Sequence, residues 1–307
     1  MSSVLTGVII AVLGGDDRQL VLISELVRLG ADIKVAGISK LAGDKDVQCF
    51  YQVEEAVRDA RFVILPMAGI DEKGFIGCVY GVQPLLLDNE KMLSLRDDCV
   101  IITGVARPLL KELVAQRRLK LVELNKIDEL AVLNSIPSAE GAIQMAMEAT
   151  DCTIHGSNSI VLGLGRCGLT LARTLAGMGA KVSVAARKPK DLARIREMGM
   201  EPLTFEQLPG YVGKADIVFN TVPQLVLGRK LLEQANPGVY ICDIASAPGG
   251  VDFQAARELG IKADLAPSLP GRVAPRTAGL ILAKVIPDII TGELAAASSL
   301  SLVWDSR

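Results

Sequence analysis

Ile160-Val161-Leu162-Gly163-Leu164-Gly165-Arg166-Cys167-Gly168 is the stretch on which the reading of this chain turns. A β-branched run ends in three glycines spaced G-x-G-x-x-G. A helical pattern follows at Leu169–Met178 and a second strand pattern at Lys181–Ala185. A glycine triplet alone is a weak signal. Strand, glycine turn, helix and second strand in this order are the setting of a dinucleotide-binding βαβ unit. Gly163 allows the tight turn, Gly165 lets the backbone approach a pyrophosphate, and Gly168 lets helix and strand pack closely. The N–H groups that open the helix, around Arg166 and Cys167, then face the phosphates. The alternative is a glycine-rich turn that holds no ligand.

The end of the second strand sets the cofactor. A site for NAD usually places Asp or Glu there, against the ribose 2′-hydroxyl. This chain reads Val184-Ala185-Ala186-Arg187-Lys188, with two cations and no acid. Arg187 can hold a 2′-phosphate bidentately and Lys188 adds charge, so NADP is expected over NAD. Three later segments complete the cofactor set. They are Asn220-Thr221-Val222-Pro223 after one strand, Ala245-Ser246 after the next, and Leu269-Pro270 in a loop of the same rim. Ligands bind at the carboxyl ends of parallel strands.

Short strand patterns alternate with helical ones along the rest of the chain, which argues parallel sheets with crossover helices. In the first half strands are expected at Val8–Leu13, Ile33–Gly37, Phe62–Leu65, Cys99–Thr103 and Lys120–Glu123, with helices at Asp17–Leu29 and Arg107–Gln116. Pro66 to Pro84 reads as a long loop. A linking helix is expected to open at Asn134-Ser135-Ile136-Pro137-Ser138-Ala139-Glu140, with Pro137 in its first turn. In the second half strands are expected at Ser159–Leu162, Lys181–Ala185, Ile217–Asn220, Val239–Asp243 and Ile261–Asp264. Pro287 should kink or split the last helical stretch, about 276–297. The fold class is therefore α/β: two Rossmann-like doubly wound parallel-sheet domains separated by a cleft, in the layout of 2-hydroxyacid dehydrogenases and adenosylhomocysteinase. The expected boundaries are 1–134 for the first domain, 135–155 for the linking helix and hinge, and 156–279 for the nucleotide-binding domain. A helix at about 280–300 is expected to pack back on the first domain.

Composition removes other classes. At 307 residues and about 150 per domain, two domains fit. Lys and Arg number 33 against 35 Asp and Glu, so no basic stripe marks a nucleic-acid binder. Apolar residues make up 50% and charged ones 22%, enough for a large core. No uninterrupted apolar run reaches the length of a membrane span, and Val4–Leu13 reads as a buried strand rather than a leader. The six cysteines form no C-x-x-C pair and there is one histidine, so reduced cytosolic thiols and no metal site are expected.

The lone histidine also restricts the chemistry. A 2-hydroxyacid dehydrogenase needs a histidine late in the cofactor domain, whereas His155 precedes it, near the hinge. His155 and Glu140 are the candidate catalytic groups, Glu140 being explained equally by a helix-capping role. Arg18, Arg107, Arg272 and Ser138 are candidate binders of substrate carboxylates, and Thr103-Gly104 can line the facing wall. Arg18 follows Gly14-Gly15-Asp16-Asp17, a turn whose acids repel phosphate.

These residues in order resemble the A subunits of dipicolinate synthase. The resemblance rests on Gly14-Gly15-Asp16-Asp17-Arg18-Gln19, Asn134 to Gly141, Thr153-Ile154-His155-Gly156-Ser157, the Gly163–Gly168 fingerprint, Pro248-Gly249-Gly250 and Ala266 to Gly271. It runs from the first strand to about Ala283. It implies an NADP-dependent oxidoreductase of endospore formation, on a branch of the lysine pathway. The substrate would be dihydrodipicolinate or its hydrated tetrahydro precursor, a small dicarboxylate. The implied partner is the flavoprotein-like B subunit of dipicolinate synthase, with a homo-oligomer also open, and the implied setting is the cytoplasm of the mother cell. Two other readings stand beside it: a non-catalytic NADP-binding protein with a regulatory role, and an enzyme of the 2-hydroxyacid dehydrogenase or adenosylhomocysteinase type.

Overall fold

The computed structural model describes residues 4–304. The chain divides into two compact units, Met1–Leu130 with Pro275–Arg307, and Ala131–Ala274. The first unit contains β1 (Ile9–Leu13), α1 (Asp17–Arg28), β2 (Asp32–Ala36), β3 (Val47–Phe50), α2 (Val53–Val57), β4 (Phe62–Ile64), β5 (Phe75–Ile76) and β6 (Leu85–Leu86). It continues with α3 (Asn89–Met92), β7 (Val100–Thr103), α4 (Pro108–Gln116), β8 (Lys120–Glu123) and the start of α5 (Asp128–Ala149). Its main sheet has the order β3-β2-β1-β4-β7-β8 with every pair parallel.

The second unit contains β9 (Asn158–Leu162), α6 (Arg166–Gly177), β10 (Lys181–Ala185), α7 (Pro189–Glu197), β11 (Glu201–Leu203), α8 (Pro209–Val212) and β12 (Ile217–Asn220). After these come α9 (Arg229–Leu232), β13 (Tyr240–Asp243), α10 (Phe253–Glu258), β14 (Lys262–Leu265) and α11 (Leu269–Val273); α12 (Pro275–Trp304) then returns to the first unit. The second sheet has the order β11-β10-β9-β12-β13-β14, again parallel throughout. Both sheets thus have the doubly wound order, with the switch point beside the first strand of each.

Burial on two faces explains why these strands read as continuous apolar runs. In β9 and β12, Val161 and Phe219 point into one cluster while Ile160, Leu162 and Val218 point into another. A strand covered on both sides needs apolar residues at every position. The two strands of the main sheets absent from the sequence reading, β3 and β11, are edge strands. β3 exposes Gln48 and Cys49, and β11 contains Pro202, which an edge accepts because one side of its ladder is free.

Three further expectations need correction. The stretch 66–84 is not one loop: β5 lies within it and pairs antiparallel with β6 just beyond, closing a small hairpin. The linking helix begins at Asp128, not Asn134, so Pro137 lies in its interior. In the turn before that proline two carbonyls accept from hydroxyls, Ser135 Oγ donating to Val132 O at 2.6 Å and Ser138 Oγ to Asn134 O at 2.8 Å. Pro287 does not split α12. An interior proline costs about 3 kcal/mol. Leu282, Val285, Ile286 and Ile290 of α12 are buried, and at roughly 1.5–3 kcal/mol per buried aliphatic side chain they outweigh it. The helix packs on α1, where a Cβ built on Gly279 falls 2.7 Å from Val21 Cβ. No helix of the described residues is long and apolar enough to cross a membrane.

Glycines test this packing. A Cβ on Gly104 would meet the Met67 backbone with no room to move, while one on Gly292, in α12, finds nothing within 4 Å. Gly104→Ala should lose about 1–3 kcal/mol in urea unfolding. Gly292→Ala should gain up to about 1 kcal/mol from helix propensity.

Candidate functional site

The carboxyl edge of the second sheet assembles the fingerprint. Gly163 leaves β9 at φ +95°, where a side chain would be strained, and its N–H donates to Ala185 O at 2.9 Å. A Cβ there would also strike Thr221 Oγ1 and Val222 Cγ2. Gly168 packs directly on Gly163 O. Gly165 differs from both. It is the N-cap of α6, has an ordinary extended backbone, makes no side-chain cap, and a Cβ on it would meet nothing within 4 Å. Two glycines of the triplet therefore serve the protein's own packing, and the third borders open space at the start of a 12-residue helix. The first N–H groups of a helix lack partners within it. This arrangement fits a pyrophosphate. Cys167, half-buried in the first turn, is not an activated thiol: burial pushes it up, and the Arg166 charge only partly opposes that.

The neighbouring strand ends complete the edge. Arg187 and Lys188 follow β10 and are both exposed, with Lys188 as the N-cap of α7. Thr221 Oγ1 donates to Leu162 O at 2.8 Å, which pins the β12 turn to the fingerprint. Val222 is half-buried, and Pro223 and Ser246 are exposed on the same rim.

The group that holds this rim is one sequence reading missed. Asp243 ends β13 fully buried. Its Oδ1 accepts from Asn220 Nδ2 at 2.9 Å and Ala245 N–H at 3.0 Å, and its Oδ2 accepts from Gly250 N–H at 2.6 Å. Gly249, at φ +87°, packs on the same carboxyl, and a Cβ on Gly250 would strike the Asn220 amide. Asn220 in turn accepts from Val222 N–H at 3.1 Å and donates to Val222 O at 3.0 Å. One acid thus fixes the loops after two adjacent strands. The available signal was an acid ending an apolar strand, followed by Pro248-Gly249-Gly250.

Several expected contacts are corrected by burial or position. Asn220 is fully buried with both amide hydrogens used, so it shapes the turn rather than touching a ligand. Ala245 gives its N–H to Asp243, and Leu269 lies in the apolar core, where it packs on Gly141; Pro270 next to it is only half-buried. His155 stands before β9, at the amino end of the sheet, with its ring on Gly179. The five residues of β9 put about 17 Å between it and the fingerprint, so it cannot act there. Glu140 is not a cap: it lies inside α5, exposed beside Ile143, Gln144 and Thr174. Ser138 gives its proton to Asn134 O and has no donor left for a carboxylate.

In the first unit, Arg18 is no solvated residue. Its Nε and Nη2 bind the Asp16 carboxyl at 2.9 and 2.7 Å, and Asp16 and Gln19 form a capping box at the start of α1. Burial raises the Asp16 pKa, but the bond and charge of Arg18 outweigh this and hold it low. Thr103 is fully buried with its hydroxyl on Pro66 O at 3.3 Å, and Gly104 is packed on Met67, so neither lines a wall. Arg107 is exposed as the N-cap of α4. Its charge helps hold the Asp71 carboxyl low, after the Phe75 N–H bond. Glu123, also missed from sequence, accepts from Ala106 N–H at 3.2 Å and so fixes the approach to Arg107.

Two variants separate ligand space from packing. Gly165→Ala should leave the melting temperature unchanged and weaken dinucleotide binding at least tenfold, whereas Gly168→Ala should lower the melting temperature itself. In Asp243→Asn the amide NH2 faces an N–H donor whichever way it turns. A cost of about 1–3 kcal/mol in urea unfolding is expected, with dinucleotide affinity falling alongside.

Comparisons with known proteins agree with this geometry. Residues 9–125 match the family described as the N-terminal domain of the dipicolinate synthase A subunit. Residues 137–251 match the NAD binding domain of D-isomer specific 2-hydroxyacid dehydrogenases. The dipicolinate synthase A subunit of Bacillus subtilis is 42% identical over 294 residues, covering 93% of this chain and 97% of that protein. Its crystal structure superposes with a TM-score of 0.90 at 41% identity, covering 96% and 100% of the two chains. That of the Bacillus halodurans protein gives 0.90 at 40% identity, covering 93% and 98%. With a relative this similar over nearly its whole length, and with a nucleotide-binding dehydrogenase domain in its second half, the chain belongs to the family of dipicolinate synthase A subunits.

Proposed function

We propose that this chain oxidises dihydrodipicolinate, or its hydrated tetrahydro precursor with loss of water, to dipicolinate with NADP+ as oxidant, which takes the hydride while a proton is released. The observation that carries the reading is the open α6 N-terminus beside a strand end with two exposed cations and no acid. The N–H groups of Arg166, Cys167 and Gly168 suit a pyrophosphate. Arg187 and Lys188 suit a 2′-phosphate, which a carboxylate at that position would repel. When bound, the nicotinamide supplies a hydride acceptor. The carbon losing hydride and the carbon losing a proton belong to a ring that becomes aromatic, so a weak base or water suffices. This agrees with a chain whose single histidine, His155, is remote from the fingerprint, and Glu140, exposed on α5, is the acid we infer as base. Arg107 in the first unit and Arg272 in the second are not buried and are able to bind a substrate carboxylate. Arg18 retains the two Nη1 hydrogens and one on Nη2 for that role. The setting we infer is the mother-cell cytoplasm of a sporulating bacterium, where a second, flavoprotein-like polypeptide is the partner.

The test is a spectrophotometric assay with dihydrodipicolinate generated in situ, comparing NADP+ with NAD+, and the chain alone with chain plus partner. NADPH and dipicolinate should appear together with the chain alone. Arg187→Ala should weaken NADP+ binding about 10- to 100-fold, the loss of a charged bidentate contact, and leave NAD+ binding unchanged. Equal use of both dinucleotides with no effect of Arg187→Ala would refute the NADP assignment. Turnover only with the partner would make this chain the nucleotide-carrying half of a shared enzyme.

A further inference from the structure

The first unit has the same strand order as the second but a different carboxyl edge. Residues 77–80 run as a strap across the ends of β1 and β2. Gly15 N–H donates to Gly77 O at 2.7 Å, Val79 N–H donates to Gly15 O at 2.9 Å, and Ser39 N–H donates to Tyr80 O at 3.3 Å. The Gln19 side chain covers the other side of Gly15, where it would meet any Cβ. Gly14, whose N–H donates to Ala36 O, matches Gly163, so the counterpart of Gly165 is Asp16, whose side chain caps α1 while the strap covers Gly15 just before it. A pyrophosphate has no room here, and Asp16 and Asp17 would repel it.

The strap does not fill everything. Beyond it, toward β3, lies a cavity of about 230 Å³. It is walled by the turn after β2, by Phe50 and Tyr51 at the end of β3, and by Tyr80 and Gln83. In a doubly wound sheet the end of the second strand is where the ribose of a dinucleotide's adenosine half is held. The volume is below the ~300–1,000 Å³ of ordinary ligand pockets, which limits an occupant to about the size of a nucleobase or a single nucleoside.

The polar groups narrow the chemistry further. Gln83 Nε2 donates to Tyr51 O at 2.8 Å, which leaves Oε1 as an acceptor. The Ser39 hydroxyl proton goes to Tyr80 O at 2.7 Å, leaving acceptor lone pairs. No lysine or arginine lines the cavity. Lys40, next to it, is bound to Tyr80 Oη at 2.8 Å and Asp17 at 3.2 Å, and its ammonium lies over the Tyr80 ring at 4.0 Å, as that of Lys34 lies over Phe50 at 5.9 Å, so among the described residues Tyr51 is the ring of the wall without a cation on it. The Tyr51 face and two acceptors, with each neighbouring lysine already held on a ring or an acid and none in the lining, disfavour dicarboxylates and phosphates. They favour a neutral planar ring that stacks and donates N–H bonds. We propose that this cavity is a second ligand site, for a neutral amino-bearing heteroaromatic ring of the adenine or adenosine type.

The full chain, saturated with NADP+ and in parallel with NAD+, is titrated with adenosine by calorimetry. The rate of Cys49 alkylation by N-ethylmaleimide is followed at the same time. Cys49 lines the cavity and is exposed, and Cys152, exposed elsewhere, serves as internal control. The expected result is one adenosine per chain and at least fivefold slower labelling of Cys49, with Cys152 unchanged. Tyr51 is 73% exposed, so Tyr51→Ala should fold normally. It should weaken adenosine about tenfold through lost stacking without altering dinucleotide affinity. Gln83→Leu should act in the same direction. The proposal is overturned if adenosine leaves Cys49 labelling unchanged, if it binds Tyr51→Ala and wild type alike, or if pyridine-2,6-dicarboxylate protects Cys49 and adenosine does not. Cys49 reports on the first unit alone, so these outcomes stand whichever dinucleotide the second unit takes.

Discussion

The geometry of the nucleotide-binding unit depends on one buried carboxyl. Asp243 has no cation among its hydrogen-bond partners and no water-exposed surface. Burial of such a group is costly unless its oxygens find donors. It finds three N–H donors, one from the Asn220 amide and two from the backbone at Ala245 and Gly250. Satisfying the acid therefore forces the loops after β12 and β13 into one conformation. Thr221, bonded to Leu162 O, passes that constraint to the glycine turn. A site for a dinucleotide must be rigid before the ligand arrives, because ordering loops on binding subtracts from affinity.

The two sheets share a strand order but use their carboxyl edges in opposite ways. In the second unit the chain withdraws from the helix N-terminus, and the one glycine of the fingerprint with free space above it is the one a phosphate would approach. In the first, a capping box ties off α1 and a strap from the 66–84 segment lies over the strand ends. A helix N-terminus attracts anions only while its N–H groups lack partners. The side chains of Asp16 and Gln19 therefore decide the fate of that edge as much as the topology does.

The histidine problem raised by the sequence also has a geometric answer. In a parallel strand the two ends differ chemically, and ligands gather at the carboxyl one. His155 sits at the amino end of β9, packed on Gly179. Proton transfer by an imidazole at the nucleotide edge is therefore unavailable to this unit. The chemistry proposed for the chain does not require it where aromatisation drives the step.

Local pattern alone determined a good deal. Strands buried on both faces are continuous apolar runs, so β9, β10 and β12 were legible to within a residue, and the glycine spacing located the turn, its helix and the cation-bearing strand end. Pattern failed where the outcome depends on what lies across space. Edge strands β3 and β11 bury one side and carry polar residues or proline. Pro137 read as a first-turn residue and Pro287 as a break because the local cost of an interior proline is visible, while the packing that overrides it is not. Asn220 and Thr103 looked like site residues from their position at strand ends, and Leu269 from its place in a rim loop. Only tertiary structure showed them facing inward, and only it revealed that Asp243 holds the rim. The physical reason is that residue type and spacing fix what a segment can do. Burial and hydrogen-bond partners, set by segments distant in the chain, fix which of its groups remain free to do it.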